Sequence, residues 1–561
     1  MKQTKSGRLL QGLMLGGLIT LSACASDELA DTIITNASIY GYDTADSLAI
    51  RDGKIVEIGS KTRVMEYASP RTQLLDLEGA FLMPGFIDNH NHVFEAASDI
   101  GSDCLLDKDR DLDAYIRRLR SCKAGLAPDE WLLGYGHELS VLLSDDKTSP
   151  LQLLDELFPD NPVIIMEQTS HSMWVNSRAL AKAGINAHSQ DPQGGKYLKD
   201  KQSGELLGVL LDNAGDRLME LAWQAQPNLR QANYRGLMNG LAEAAAHGIT
   251  TIGDGRLYWK RGWLDTWLEA EQKGELSARV SLRPWVYPDV DPAEQLAFFS
   301  KIHSDDTNRR LLINQVKLYS DGIIVNGTAS TLAPYDWSYT PELPYGLEYI
   351  AADKMAWWLT ELDKLGYGAH IHAIGDAGAR NTLNAIATLR ARGVSRPYGM
   401  THLEMIDKAD IQRFAQLDVD ADFQLGSDYI AAQDHSWAEP FIGKNRAHAL
   451  LPINPVFESG ANVTLSSDWN VNDINPLVGI ANAVYLQQAG LGDVHAAIAA
   501  YTINAARALG IETITGSLSL GKSADLVVLE RDITHLAPEQ IANTKILMTL
   551  LEGEVVFDMD N

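Results

Sequence analysis

Short apolar runs with β-type alternation mark both ends of the chain. On the N-terminal side they lie at 32–35, 47–50 and 54–58, separated by Gly- and Asp-containing breaks; on the C-terminal side they lie at 525–529 and 555–557. Neither group is long enough to bury a core alone. Between them, short apolar strands alternate with amphipathic helical stretches, the pattern of a parallel sheet or barrel in an α/β protein. Nine strand candidates stand out, at 86–88, 163–166, 249–252, 280–282, 316–318, 370–372, 399–402, 419–422 and 463–466. An eight-stranded barrel takes one fewer.

Composition narrows the partners. The 561 residues are 45% hydrophobic and 22% charged, ordinary for a globular chain, but the net charge is −27. Such a field repels nucleic acid and anionic lipid, and no basic stripe or repeated aromatic platform offsets it, so a nucleic-acid partner is excluded. Lys2, Lys5 and Arg8 precede an apolar run at 9–21 that is too short to span a bilayer. Leu21-Ser22-Ala23-Cys24 then resembles a bacterial lipoprotein cleavage box. The expectation is a signal peptide over 1–23 and lipidation at Cys24. By the same resemblance, Ala25 carries no inner-membrane retention signal. The protein is expected to be exported and to face the periplasm from a lipid anchor in the outer membrane of a Gram-negative bacterium, with no other membrane contact. An oxidising compartment permits a disulfide between the remaining cysteines, Cys104 and Cys122; two packed thiols are the alternative. Between them, Leu112, Tyr115, Ile116 and Leu119 share one helical face. Such a helix carries Cys122 away from Cys104 unless the charged loop at 107–111 folds back.

The chemistry starts at 82–92, where Pro84-Gly85 and the apolar Phe86-Ile87 lead into His90 and His92. Alternate side chains of a strand share a face, so these two imidazoles converge. Two nitrogens are half a ligand set, and His372, His402 and Asp468 follow at similar strand ends. His370 shares the parity of His372. Lys317 sits inside an apolar strand, where a bare ammonium is costly unless modified or paired with Asp321 or another carboxylate.

The apolar strand, Pro84-Gly85 and His90-x-His92 resemble the opening of the metal site in the amidohydrolase superfamily. The segments 171–180, 191–195 and 204–208 resemble its N-substituted formamide deformylase-like branch, amidohydrolase family 3, and the likeness runs from about Asp31 to the C-terminus. This resemblance implies a metal-dependent (β/α)8 TIM-like barrel over 83–509 and a small β-sandwich built from 30–82 plus 510–561. It makes 249–252 the second barrel strand, which moves 163–166 into an insertion subdomain at 97–230, on the active-site face. It also implies one or two divalent ions, zinc first. His90, His92 and Asp468 would hold one, His372 and His402 the other, with carboxylated Lys317 as the bridge; a single ion beside unmodified lysine stays open. His370 becomes a hydrogen-bonded residue deeper in the barrel. Metal-activated water would attack a non-peptide C–N bond of a small molecule, such as an N-substituted amide, with Asp468 as general base and then acid. The alternatives are a cyclic amide or carbamate, or a binding lipoprotein that has lost catalysis. His171, Trp174, Asp376 and His137 are the substrate-binding candidates; against this, Trp174 could pack the insertion while Asn176 caps a helix. No motif specifies an oligomeric state.

Overall fold

The computed structural model describes residues 29–560, apart from 99, 102–103, 108–110, 145–148 and 428–433. Cys24 and the leader expected before it lie outside the described residues.

Eight parallel strands follow one another in chain order: Phe86–Asn91, Ile249–Asp254, Arg279–Ser281, Leu311–Leu312 running on into Gln315–Tyr319, Gly368–Ala373, Tyr398–His402, Val419–Gln424 and Val463–Ser466. Hydrogen bonds close both seams between the two parallel sheets they form. At one seam Lys317 N–H reaches Pro284 O at 3.0 Å and Val286 N–H reaches Lys317 O at 3.1 Å; at the other, Asp468 N–H reaches His90 O at 2.8 Å. The result is a TIM-like barrel whose strands end at one rim, so the side chains at those ends meet there. Its interior is unusually polar. Arg283, fully buried, donates to Asn89 Oδ1 at 2.7 Å and Gln315 Oε1 at 2.9 Å. Asp422 accepts from Thr464, Ser466 and Thr401 at 2.6, 2.7 and 2.8 Å. These networks satisfy groups that burial would otherwise penalise.

The ninth candidate strand, Val163–Glu167, belongs to a separate five-stranded sheet. There it pairs antiparallel with Ser172–Val175, and Leu132–His137, Leu206–Asp212 and Gly195–Lys199 complete the sheet. This sheet lies between the first and second barrel strands in sequence and has its own core of Tyr115, Leu119, Ile165, Trp174 and Val209. The helix Leu112–Cys122 packs Tyr115 and Leu119 into that core, and the Asp111 carboxylate caps it by accepting Ala114 N–H at 2.8 Å. Cys104 and Cys122 are disulfide-bonded, with Cα atoms 5.4 Å apart across 18 positions, while 108–110 of the charged loop expected to make the return lie outside the described residues. Asn176 caps the helix Ser177–Ala183.

Strands from the two ends pair directly. Phe81–Pro84 runs antiparallel to Leu526–Leu529, with Leu82 opposite Val528. Leu48, Ile50, Leu82, Leu526, Val528 and Leu550 share one core cluster that spans both terminal sheets. Among the described residues no helix is long and apolar enough to cross a membrane.

Candidate metal centre

Pro84-Gly85 is the hinge from the terminal sheet into the barrel. Gly85 N–H bonds Asp525 O at 2.9 Å, and a Cβ at this position would lie 2.3 Å from the Thr250 side chain, so only glycine lets the first strand approach the second. Asp88, His90 and His92 then follow at alternate positions of one strand and its end. Asp88 accepts from Ser467 N–H at 2.9 Å, Ser467 Oγ at 2.6 Å and Asn91 Nδ2 at 2.7 Å. Burial pushes its pKa up to about 6 against those bonds. The grip on Ser467 sets the next residue, Asp468, beside the histidines.

Asp468 Oδ1 lies 3.0 Å from His92 Nε2 and 3.3 Å from His90 Nε2, and the two nitrogens are 3.2 Å apart. All three residues are buried. Burial, reinforced by the charge of Lys317, drives the His90 pKa far below the imidazole range. Burial raises that of Asp468, but hydrogen bonds from His90 and His92 outweigh it and hold the carboxyl well below the usual range. The space before these atoms is kept clear: a Cβ on Gly255 would fall 2.9 Å from His90 Nε2 and 3.0 Å from His92 Nε2. Two imidazoles and a carboxylate converging on a cleared, buried point fit a divalent ion. His370 supports the group from below, its Nε2 2.8 Å from His90 Nδ1. His90, His370 and Asp422 also lie close enough to share an ion. There, however, hydroxyl and amide donors already crowd the Asp422 carboxylate.

The remaining expected ligands line the same chamber without joining that tight group. Lys317 is fully buried with Nζ 3.4 Å from His90 Nδ1, and desolvation pulls its pKa far below the lysine range. Asp321, the alternative ion-pair partner, is spent elsewhere, accepting N–H groups of Ser330, Ile374 and Gly375 at 2.8, 3.1 and 2.7 Å. His372 donates Nε2–H to Gly322 O at 3.1 Å and stacks on Tyr319 with centroids 4.1 Å apart; its buried Nδ1 has no hydrogen-bond partner among the described residues. His402 directs Nδ1 to Gln424 Oε1 at 2.9 Å and sits 3.9 Å from Asp468 Oδ2. Burial pushes the His402 pKa down to about 3.

Of the substrate-binding candidates, only His171 reaches this chamber, its ring 5.1 Å from that of His372. The other three are placed elsewhere. Trp174 is fully buried in the insertion and donates its indole N–H to Pro150 O at 2.8 Å, because its strand turns that face inward. His137 is likewise enclosed, 3.1 Å from Ser172 Oγ and edge-on to Trp174. Asp376 opens the helix Asp376–Arg390 and accepts Leu332 N–H at 2.8 Å, which fastens a loop. Sequence reading passed over Tyr319, Asp88, Gln424 and Gly255. The first two carried a signal, each two positions from a chamber residue on the same strand face; the others are defined by neighbours remote in sequence.

The Amidohydrolase family profile matches residues 73–557. N-substituted formamide deformylase from Arthrobacter pascens is 25% identical over 95% of this chain and 99% of its own. Protein LONG AFTER FAR-RED 3 of Arabidopsis thaliana is 28% identical, over 94% and 92%. A solved structure of an uncharacterized metal-dependent hydrolase from Pyrococcus horikoshii superposes with a TM-score of 0.69 at 20% identity, over 91% of this chain and 99% of that one, and so shares the fold. Parallel strands ending at a buried imidazole–carboxylate group agree with the metal-binding hydrolase class that the family profile indicates. The chain belongs to the amidohydrolase family, within family 3, and is a hydrolase of carbon–nitrogen bonds other than peptide bonds.

Proposed function

We propose that this enzyme hydrolyses an N-substituted amide of a small molecule, with zinc as its metal and Asp468 as the proton carrier. The observation that carries the reading is the convergence of His90, His92 and Asp468 on the space kept open by Gly255. The deformylase relative supports the choice of bond. Imidazole and carboxylate donors suit zinc. When bound, a divalent ion supplies electrophilic polarisation of a carbonyl and makes water acidic enough to attack near neutral pH.

The chain's own residues do the rest. Asp468, kept ionised by its hydrogen bonds, takes the proton of the attacking water and returns it to the leaving nitrogen. His370 orients the His90 ring. We read Lys317 as carboxylated, because its amine is buried beside His90 with no carboxylate in ion-pair range among the described residues; His372 and His402 then complete the chamber. Export on a lipid anchor at Cys24 is part of the proposal, supported by the leader's charge pattern and by a disulfide suited to an oxidising compartment.

The test is elemental analysis of the active enzyme together with turnover of an amide panel by wild type and Asp468→Asn. Stoichiometric transition metal is expected, with turnover of the variant down about 100-fold or more in a folded protein. Active wild type without such a metal, or near-normal turnover of the variant, refutes the reading.

A further inference from the structure

The insertion hands one histidine to the chamber and fixes which of its nitrogens is available. Leu206–Asp212 pairs antiparallel with Ser172–Val175, with Ser172 opposite Leu211, so His171 and Asp212 occupy the next rung. Asp212 N–H bonds His171 O at 2.7 Å, and His171 Nδ1 lies 2.8 Å from Asp212 Oδ1. Tyr349 donates its hydroxyl to the same oxygen at 3.2 Å. Asp212 holds a φ of +52°, a conformation that L-residues rarely adopt and that tends to persist where a side chain must be aimed. Its close approach to the chamber wall depends on Gly322, where a Cβ would lie 2.8 Å from Asp212 Oδ1. Gly322 also supplies the carbonyl that holds His372. The insertion and the barrel are thus fitted to each other at this pair.

Asp212 Oδ1 also receives the Tyr349 hydroxyl and so accepts at this contact; a His171 ring with a single proton carries it on Nδ1 and presents a lone pair at Nε2. Among the described residues Nε2 has no hydrogen-bond partner. The ring is 9% exposed, 5.1 Å from His372 and 5.9 Å from Tyr319, stacked on the latter. An acceptor is therefore offered at the edge of the metal chamber, on an element outside the barrel.

A scissile amide presents a carbonyl oxygen, which accepts, and, when its nitrogen bears one substituent, an N–H, which donates. Only the N–H can pair with a lone pair; a tertiary amide leaves that acceptor unsatisfied. We infer that His171 Nε2 accepts a hydrogen bond from the N–H beside the scissile carbonyl, making this a secondary-amide hydrolase that discriminates against tertiary amides. His171 is then a specificity residue and Asp212 a positioning residue. This rests on the proposed amide hydrolysis and deepens it.

The experiment takes the holoenzyme and the N-alkylformamide or N-alkylacetamide it turns over fastest, paired with that amide's N-methyl derivative. His171→Leu removes the acceptor and His171→Gln restores one. The expected result is a fall of about 10- to 100-fold in kcat/KM for the secondary amide in His171→Leu. The tertiary amide should change little, and His171→Gln should recover part of the loss. Equal losses on both substrates, or a wild type indifferent to the N-methyl group, overturn the inference while leaving amide hydrolysis standing. No turnover of any amide by metal-loaded wild type overturns both. A readout free of activity is the histidine-selective 15N spectrum, with the His171 signals assigned by their loss in His171→Gln. Protonated Nδ1 and bare Nε2 are expected, and a proton on Nε2, in the other tautomer or in an imidazolium, overturns the inference even if the leucine variant fails to fold.

Discussion

Replacing Gly255 with alanine tests whether the space before His90 and His92 is a metal position. The added Cβ would sit 2.9 Å from His90 Nε2, 2.9 Å from His92 Cε1 and 3.0 Å from His92 Nε2. Comfortable contact begins at about 3.5 Å, so something must retreat by roughly 0.5 Å. The backbone of Gly255 is held by its N–H bond to Asn91 O at 2.7 Å. His90 has no exposed surface and is tied through Nδ1 to His370, so it cannot move outward. Metal–ligand distances tolerate only about 0.2 Å. The expected outcome is a drop in metal affinity of about 10- to 100-fold, the scale seen when ligand orientation is disturbed. The fold should survive, because the retreat is local to the ends of the ligand side chains and no buried hydrogen-bonding group is deleted. Competition titration against a chelator measures the affinity, and circular dichroism checks the fold. A folded Gly255→Ala protein with wild-type affinity would refute the placement of the ion.

Two further outcomes concern the insertion. Burial pushes the His137 pKa down to about 3. Above an unfolded-state value of about 6.5 both states are neutral; below it the unfolded chain takes a proton that the folded state refuses, so stability falls with pH until about 3, by about 2 kcal/mol at pH 5. His137→Gln should lose less unfolding free energy than wild type between about pH 7.5 and pH 5 in urea titrations, and parallel losses would count against the burial argument. Cys104→Ser with Cys122→Ser opens a loop whose closure is worth about 3 kcal/mol in the chain-entropy view. A corresponding loss of stability under non-reducing conditions is expected, and a double variant as stable as wild type would show that the bridge does not hold the helix in place.

Much of the architecture was legible because it depends on local periodicity. Every barrel strand coincides with one of the nine short candidates, the resemblance alone removing the ninth, and the helix at Leu112–Cys122 is marked by the spacing of Tyr115 and Leu119. The strand at Phe81–Pro84 was read only as a lead-in to the histidines, since nothing local reveals that it pairs with Leu526–Leu529. Trp174 was ambiguous for a similar reason: an aromatic beside a histidine motif reads equally as pocket or core until the burial of its strand is known.

By itself the sequence determined that His90 and His92 share a face, that Lys317 lies within an apolar strand, and that Asp468 ends another. Those properties follow from backbone geometry over a few residues. Only the tertiary structure decided which groups meet. It clamps Asp88 onto Ser467, 379 positions away, and thereby sets Asp468 against the two histidines. It brings His171 and Asp212 from the insertion to His372, spends Asp321 on backbone amides, and makes Gly255 the residue that keeps the centre open. Strand register and the path of the intervening chain set these encounters, and neither is encoded in the spacing of residues along any one segment.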